Sequence, residues 1–313
     1  MLDFNIKGLN IAVIMGGTSA EREVSLRSGQ AIISALNNNG VNVTAVDGVI
    51  ELLSKNISDF DAVFNILHGE AGENGELAGL LSSMRIKCTG CDMPSAVVSW
   101  NKNWAKILVA NCGISTPSSQ LINSAKEIEI KDNGPWIIKP NQEGSSVGLY
   151  FCNNKQELDT NTQLALEKVE SVLIEEFIKG SECTVSIIKG KALPVIRIEP
   201  KVGLYDYKAK YESGNTGYFC PSGYPEELES RLKRDALIAY KTLGLKGWAR
   251  IDFMIDEQKK HWFLEANTTP GMTETSLVPK AAEAIGWSFD KLVTQILSTA
   301  FMTDQGELYD ERC

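Results

Sequence analysis

Gly247-Trp-Ala-Arg250-Ile-Asp252-Phe-Met-Ile255, followed by Trp262-Phe-Leu-Glu265-Ala-Asn267-Thr-Thr-Pro-Gly271, is the stretch on which the fold turns. It predicts a β-hairpin, with residues 248–255 and 261–267 as strands and the polar run Asp256–Lys260 as the connection. Strand side chains alternate between faces, so Arg250 and Asp252 share one face, as do Glu265 and Asn267. A turn centred on Gln258 and Lys259 sets Asp252 opposite Glu265 and Arg250 opposite Asn267. Two carboxylates and a carboxamide oxygen suit a hard cation such as Mg²⁺, completed by water and phosphate oxygens. An arginine beside them can offset charge that builds up in a phosphoryl or acyl transition state. A solvated face with an incidental salt bridge fits the same residues, and the hairpin alone leaves both readings open.

The rest of the chain narrows the choice. Its 313 residues predict two or three domains. Hydrophobic content of 43% and charged content of 23% are those of a soluble globular protein. The net charge of −9 argues against nucleic-acid binding, which calls for a basic patch or stripe. No apolar run approaches the ~20 residues of a membrane span, and Met1–Lys7 lacks the plan of a signal peptide. The seven cysteines are odd in number and irregularly spaced, which points to reduced thiols and a cytoplasmic location. Cys88-Thr-Gly-Cys91 has no second pair, and His68 and His261 are the two histidines of the chain. Small buried thiols explain it better than zinc.

Residues 9–17 form a short apolar strand that ends in glycines. A helix from about Ser19 to Asn37, a strand at 41–46, a strand at 61–67, a helix at 76–84 and a strand at 86–89 follow. This rhythm implies a parallel sheet with helices on its faces, with ligands at the carboxyl ends of the strands. Gly16, Gly17, His68 and Gly69 sit at such ends. After Pro94 the pattern changes to a helix at 101–111 and antiparallel strands at 136–140, 149–152 and 171–178, with a helix near 155–169. Strands at 183–188 and 192–199 are linked by Lys189-Gly190-Lys191, a hairpin signal. Residues 200–223 lack periodicity, and a loop of that length inside a compact domain is usually functional. A helix at 225–243 precedes the opening hairpin, and residues 281–300 supply the last helices.

Several positions invite chemistry, each beside a plainer explanation. Gly144-Ser-Ser-Val-Gly148 is either an anion cradle of backbone N–H groups or a simple turn. Lys139 ends an apolar strand, so its charge needs an anionic partner, a phosphate or a neighbouring carboxylate. Lys102 is a second lysine at a structured position. Near Glu175, a backbone edge could meet an adenine amino group and Glu182 a ribose hydroxyl; a solvated acidic turn explains them too. Thr18-Ser-Ala-Glu21 fits a capping box, yet Glu21 also lies where a substrate ammonium would bind. His68 is either a structural hydrogen bonder or part of a site. Tyr205-Asp-Tyr-Lys-Ala-Lys-Tyr211 is a surface loop or a lid over a charged reaction.

Taken together, six segments resemble the D-alanine–D-alanine ligases of the ATP-grasp superfamily. They are Gly16–Leu26; His68-Gly69 with Gly72-Glu73; Lys139-Pro140 with Glu143–Gly148; Tyr205–Tyr211; Gly247–Asp252; and Leu264–Met272. The likeness spans roughly residues 9–300, and its specificity lies in the joint presence of the segments in this order. It implies an N-terminal parallel α/β domain at 1–98, then a central ATP-grasp domain at 99–182. A C-terminal ATP-grasp domain at 183–313 follows, with a lid at 200–223. By resemblance, Lys102 and Lys139 contact ATP phosphates, and Lys210 comes down over them with the lid. Glu175 and Phe177 meet the adenine and Glu182 the ribose. Asp252, Glu265 and Asn267 hold two Mg²⁺ (or Mn²⁺) ions.

The same resemblance gives Glu21 the ammonium of a first D-alanine, with Ser145 and Tyr211 as hydrogen-bonded companions. His68 lies near its carboxylate. Arg250 and the backbone N–H of Gly271 stabilise a tetrahedral intermediate, and Ser276 and Leu277 receive the carboxylate of a second D-alanine. Asn74 and Asn101 stand where the family usually has Asp, and Phe177 where Trp is frequent; none removes a group assigned to chemistry. The implied reaction is ATP-dependent joining of two D-alanines through an acyl phosphate, for peptidoglycan precursor synthesis, by a homodimer. Family members that use D-lactate tend to carry Phe where Tyr211 stands. Other readings are a ligase that pairs D-alanine with D-serine or D-lactate, and a non-catalytic nucleotide-binding module.

Overall fold

The structure is a computed structural model that describes residues 5–130, 134–144, 147–200 and 216–302. Strand β1 (Asn10–Met15) leads through helix α1 (Arg22–Asn38) to β2 (Asn42–Asp47), and helix α2 (Gly48–Ser54) leads on to β3 (Ala62–Asn65). The three strands pair in parallel in the order β2-β1-β3. The strand expected at 86–89 is reduced to one parallel bridge, Val63 to Cys88. There the Thr89 hydroxyl accepts the Asn65 N–H at 3.0 Å, which takes the place of the next ladder bond.

Helix α1 also starts later than its sequence suggests. Glu21 is the residue before it, with φ −95° and no side-chain cap, and Ser19 Oγ accepts the Glu21 N–H at 3.2 Å. The expected capping box from Thr18 to Glu21 does not form, and the Glu21 carboxylate points elsewhere.

Helices α3 (Glu70–Glu73), α4 (Glu76–Ser83), α5 (Met93–Trp100) and α6 (Lys102–Asn111) follow. Helix α5 lies where the sequence predicts only a change of pattern. Its signals are nonetheless local: Asp92 caps the Ser95 N–H at 3.2 Å and a proline occupies the first turn. Asn101 closes α5 and caps α6, accepting from Trp104 N. The boundary expected between residues 98 and 99 thus falls inside α5.

The second sheet is antiparallel and has the order β4-β7-β5-β6. It is built from β4 (Ser119–Ile122), β5 (Trp136–Pro140), β6 (Tyr150–Cys152) and β7 (Val172–Glu176), with α7 (Lys155–Leu166) packed on it. Strand β4 has no counterpart in the sequence-based expectation; it has one buried residue, Ile122, and hence no clear alternation.

The third sheet runs β11-β10-β8-β12-β13, with β9 paired to β8. Its strands are β8 (Gly180–Ile188), β9 (Lys191–Ala192), β10 (Ile196–Pro200), β11 (Thr216–Phe219), β12 (Trp248–Asp256) and β13 (His261–Asn267). The boundary expected between 182 and 183 lies within β8. The return strand expected at 192–199 is split into β9 and β10 around Pro194, which has no N–H for a ladder. Strand β11 occupies the end of the segment expected to be a loop at 200–223. Helices α8 (Glu226–Thr242), α9 (Leu277–Glu283) and α10 (Phe289–Leu297) complete the described chain.

The opening hairpin forms with Arg250 opposite Asn267 and Asp252 opposite Glu265, as expected. The reason differs from the expectation. Ile255 pairs with His261, which centres the connection on Gln258 alone, and a bulge between Asp252 and Phe253 shifts the register by one.

One apolar core joins Ile11, Val13 and Ile32 of the first sheet and α1 to Ile196, Trp248, Leu292 and Val293. A second packs Ala105 and Val109 of α6 with α8 under the third sheet. The antiparallel second sheet has a core of its own around Trp136, Ile138, Leu158 and Ile174. No described helix is long and apolar enough to cross a membrane.

Candidate active site

The hairpin patch is organised around Asp252, which is 2% exposed. Its Oδ1 accepts from Thr184 Oγ1 at 2.6 Å and from Arg250 Nε at 2.9 Å. Its Oδ2 accepts from Arg250 Nη2 at 2.8 Å and from Asn267 Nδ2 at 2.9 Å. The guanidinium is therefore held by two bonds to one carboxylate, which sets its plane. Thr184 reaches this point because β8 pairs with β12 and sets Thr184 opposite Asp252. That pairing is long-range, and no sequence signal identifies Thr184.

Glu265, on the neighbouring strand, has Lys102 Nζ at 3.7 Å. Lys102 is buried at the start of α6 and also donates to the Glu143 carbonyl. Burial lowers its ammonium pKa, against the pull of Glu265. Among the described residues no set of three His, Cys, Asp or Glu side chains is arranged to hold a metal. The donors expected from the sequence are two carboxylates and the Asn267 carboxamide, side by side on β12 and β13. Their oxygen chemistry fits a hard cation.

Lys139 finds the neighbouring carboxylate that its burial calls for. Its Nζ lies 2.9 Å from Glu175 Oε2, and Lys106 from α6 pairs with Glu175 Oε1. Burial raises the Glu175 pKa, but the two ammoniums reverse this and hold it below its ordinary value. Lys106 carries no sequence motif of its own; only its position one helical turn after Lys102 hints that it faces the same way.

Glu175 is also less open than expected. Strand β7 has neighbours on both sides, Ser119 and Ile137 standing opposite Glu175. The backbone edge predicted beside Glu175 is thus closed at that residue, and the chain leaves the sheet only after Glu176. Phe177, just beyond, packs edge-on against Phe151 with centroids 4.9 Å apart. Glu182 is half-buried on β8, opposite Met254 and Ile198.

A third cluster lines a polar cleft shared by Glu21, His68, Glu73, Arg250, Asn267 and Ser276. Gly271 and Leu277 also border it. Glu21 and Glu73 both point at the backbone of Gly144: an added Cβ there would lie 2.6 Å from Glu21 Oε2 and 3.5 Å from Glu73 Oε2. His68 Nδ1 lies 3.9 Å from Glu73 Oε1. Burial raises the Glu73 pKa, reinforced by the charge of Glu21. Burial opposes protonation of His68, but the nearby Glu73 carboxylate, with the charge of Glu21, outweighs it and raises the imidazole pKa. Glu73 belongs to a segment that carries the family resemblance, but only the short α3 brings it to His68.

Ser276, which also lines the cleft, precedes α9. Its hydroxyl accepts from Thr273 N at 3.0 Å and lies 2.8 Å from Thr273 Oγ1. Gly271 approaches this hydroxyl so closely that a Cβ would sit 3.1 Å from it. Ser145, Lys210 and Tyr211 lie outside the described residues. Cys88 and Cys91 are half-buried, and desolvation of their thiols pushes Cys88 up to about 12 and Cys91 up to about 11, far from thiolate chemistry at neutral pH.

Three clusters thus meet around β12 and β13: a carboxylate patch held by Arg250, a buried lysine group, and an acidic cleft. Known proteins resemble this chain in sequence and fold. Residues 111–298 match the sequence family described as D-ala D-ala ligase C-terminus. The chain is 43% identical to a D-alanine–D-alanine ligase of Nitrosomonas europaea over 92% of its length and 95% of the relative's. It is 41% identical to D-alanine–D-alanine ligase B of Chromobacterium violaceum, over 92% and 97% of the two chains. A D-alanine–D-alanine ligase from Bacillus anthracis complexed with ATP superposes with a TM-score of 0.82 at 30% identity, covering 96% of this chain and all of that one. The VanG D-Ala:D-Ser ligase of Enterococcus faecalis superposes with a TM-score of 0.82 at 30% identity, over 94% of this chain. The chain has the ATP-grasp fold and belongs to the D-alanine–D-alanine ligase family.

Proposed function

We propose that the protein uses ATP to join two D-alanines into D-alanyl-D-alanine, releasing ADP and phosphate. The observation that carries this reading is the meeting of Glu21, His68 and Glu73 with Arg250, Gly271 and Ser276 across one cleft. Carboxylates that can hold an ammonium share the cleft with the Arg250 guanidinium, a cation for carboxylates. In the first step an oxygen of the first D-alanine's carboxylate attacks the γ-phosphorus, and the bond to the β-phosphate oxygen breaks. ADP and an acyl phosphate result. Phosphorylation is needed because a free carboxylate is a poor electrophile, and the step depends on positioning and charge neutralisation. In the second step the amine of the second D-alanine attacks the acyl carbonyl, a proton is lost from nitrogen, and inorganic phosphate leaves.

In this reading Glu21 holds the first ammonium, together with Ser145 and Tyr211. His68, held by Glu73, faces the first carboxylate. Arg250, its plane set by Asp252, and the Gly271 N–H stabilise the tetrahedral oxyanion. Ser276 and Leu277 take the second carboxylate. Lys102, Lys139 and Lys210 bind phosphates; Glu182 binds the ribose. The base lies beside Phe177 and the open chain that follows Glu176. Asp252, Glu265 and Asn267 would hold two Mg²⁺ (or Mn²⁺) ions, which neutralise phosphate charge when bound. The lid expected at 200–223, of which 201–215 lie outside the described residues and Thr216–Phe219 belong to β11, keeps water from the acyl phosphate in this reading.

D-Alanine, rather than D-lactate, is the second substrate, in keeping with Tyr211. The product serves peptidoglycan precursor synthesis in the cytoplasm, and the enzyme works as a homodimer of three-domain chains. ADP release with D-alanine as substrate tests the assignment. Arg250→Ala and Glu265→Gln are each expected to lower turnover by about 10²-fold or more, with an unchanged circular dichroism spectrum. Near-normal ADP release from either variant would sink it. Mass-spectrometric competition between D-alanine and D-lactate at neutral pH tests the substrate; mainly depsipeptide product would refute the D-alanine reading.

A further inference from the structure

Buried beneath the lysine group is an arrangement that phosphate binding alone does not explain. Glu175 is 3% exposed and carries two ammoniums, one on each oxygen. They are not equivalent. Lys106 is 2% exposed and rooted in α6. Lys139 ends β5, and its side chain keeps 11% of its surface. Burial pushes Lys106 down to about 8, against the pull of Glu175, so it keeps its charge at neutral pH.

One carboxylate with two cations leaves a net positive charge in a poorly hydrated place, which attracts an anion. The arrangement also bears on exchange. If Lys139 were the sole partner of Glu175, moving it to a phosphate would strand a buried carboxylate, and breaking such a pair is strongly destabilising. With Lys106 in place, Glu175 stays neutralised whichever way Lys139 turns.

We infer that Lys106 is a positioning residue for ATP: it is the permanent counter-ion of Glu175, and it frees Lys139 to exchange that carboxylate for the nucleotide phosphates. The inference rests on the reading that Lys139 meets phosphate. Glu175 thereby acts as a resting place for Lys139 in the empty enzyme, and Lys106 keeps that resting place from becoming a trap.

The test compares steady-state kinetics and MgADP binding of Lys106→Met, Lys106→Arg, Lys139→Met and Lys106→Met/Glu175→Gln with the unmodified enzyme. Lys106→Met leaves Glu175 paired with Lys139, so folding is retained. It is expected to raise the KM for ATP and the Kd for MgADP by about tenfold or more, while kcat at saturating ATP changes by less than about threefold. Lys106→Arg keeps the charge and restores the affinity. The double variant binds better than Lys106→Met, because removing the carboxylate removes the trap. An unchanged ATP KM in Lys106→Met overturns the inference, as does a double variant that binds no better than the single one.

If Lys139→Met binds MgADP normally, the phosphate reading itself fails. If Lys139→Met loses affinity and Lys106→Met does not, only the counter-ion role fails. An independent check needs no variant. In the unmodified enzyme labelled with ¹⁵N-lysine, MgADP should shift the Lys139 Nζ resonance and leave that of Lys106 in place. Equal movement of both, or of neither, contradicts the inference.

Discussion

Gly144 illustrates how much a single residue decides here. The Glu21 carboxylate occupies the space that any side chain at 144 would fill, its Oε2 lying 2.6 Å from an added Cβ. The obstacle is the end of a flexible side chain, so Gly144→Ala is expected to fold. Its cost falls on the position of Glu21. The KM for D-alanine should rise by about tenfold, with the KM for ATP nearly unchanged; a variant with normal D-alanine KM would remove Glu21 from the ammonium site. The requirement for a small residue at 144 was legible as a glycine-rich loop, but not its partner. Glu21 and Gly144 are 123 positions apart, and nothing local links them. Thr184 is the same case on the hairpin: a threonine in a strand has many reasons to be there, and its bond to Asp252 follows only from the pairing of β8 with β12.

At the scale of elements, the join between β1, β2 and α1 positions Glu21. Arg22, the first residue of α1, pairs with Asp47 at the end of β2, and Asp47 Oδ1 also accepts the Gly17 N–H at 3.0 Å. The Arg22 hydrogen bond, then that of Gly17, lower the Asp47 pKa to about 2. A depressed acid pKa contributes stability that is present above its unfolded value and lost as pH falls through the folded one. The loss therefore comes between about pH 4 and pH 2. The pair is largely exposed, so the effect is small and screened by salt. Urea midpoints across that range should fall less steeply in Asp47→Asn than in the unmodified protein at low ionic strength. An equal slope would show that the pair contributes nothing.

Elements differ in how far their sequence announces them. The hairpin of β12 and β13 was legible because alternation and a polar turn act between neighbours. Helix α5 had its cap and proline in plain view. The start of α1 was not legible: Thr18 and Glu21 have the chemistry of a capping box, but Glu21 serves the cleft instead.

The whole molecule rests on a core that crosses it. Ile32 of α1 packs in one continuous apolar cluster with Trp248 of β12 and Leu292 of α10, residues from opposite ends of the chain. The second sheet keeps its own core around Trp136 and Ile174. Ile32→Ala leaves a cavity in a fully buried site and should cost about 2–5 kcal/mol. Hydrogen exchange should then accelerate in both residues 10–47 and residues 277–297, and much less in residues 136–176. Acceleration confined to the first segment would show that the two ends of the chain do not share a cooperative unit.

Local chemistry settled the identity of the elements around the site and the residue types that carry charge. Alternation, turn residues and helix caps act within a few positions, and ordered motifs along the chain mark the family. Contacts between distant segments belong to the tertiary structure. It closes the Glu175 backbone between two strands, splits the return from β8 at Pro194, and turns Glu21 away from its helix toward Gly144. It also gives Lys139 and Lys106 one carboxylate to share. Each outcome depends on burial, which makes an unpaired charge or an unbonded N–H costly, and burial is decided by which segments pack together.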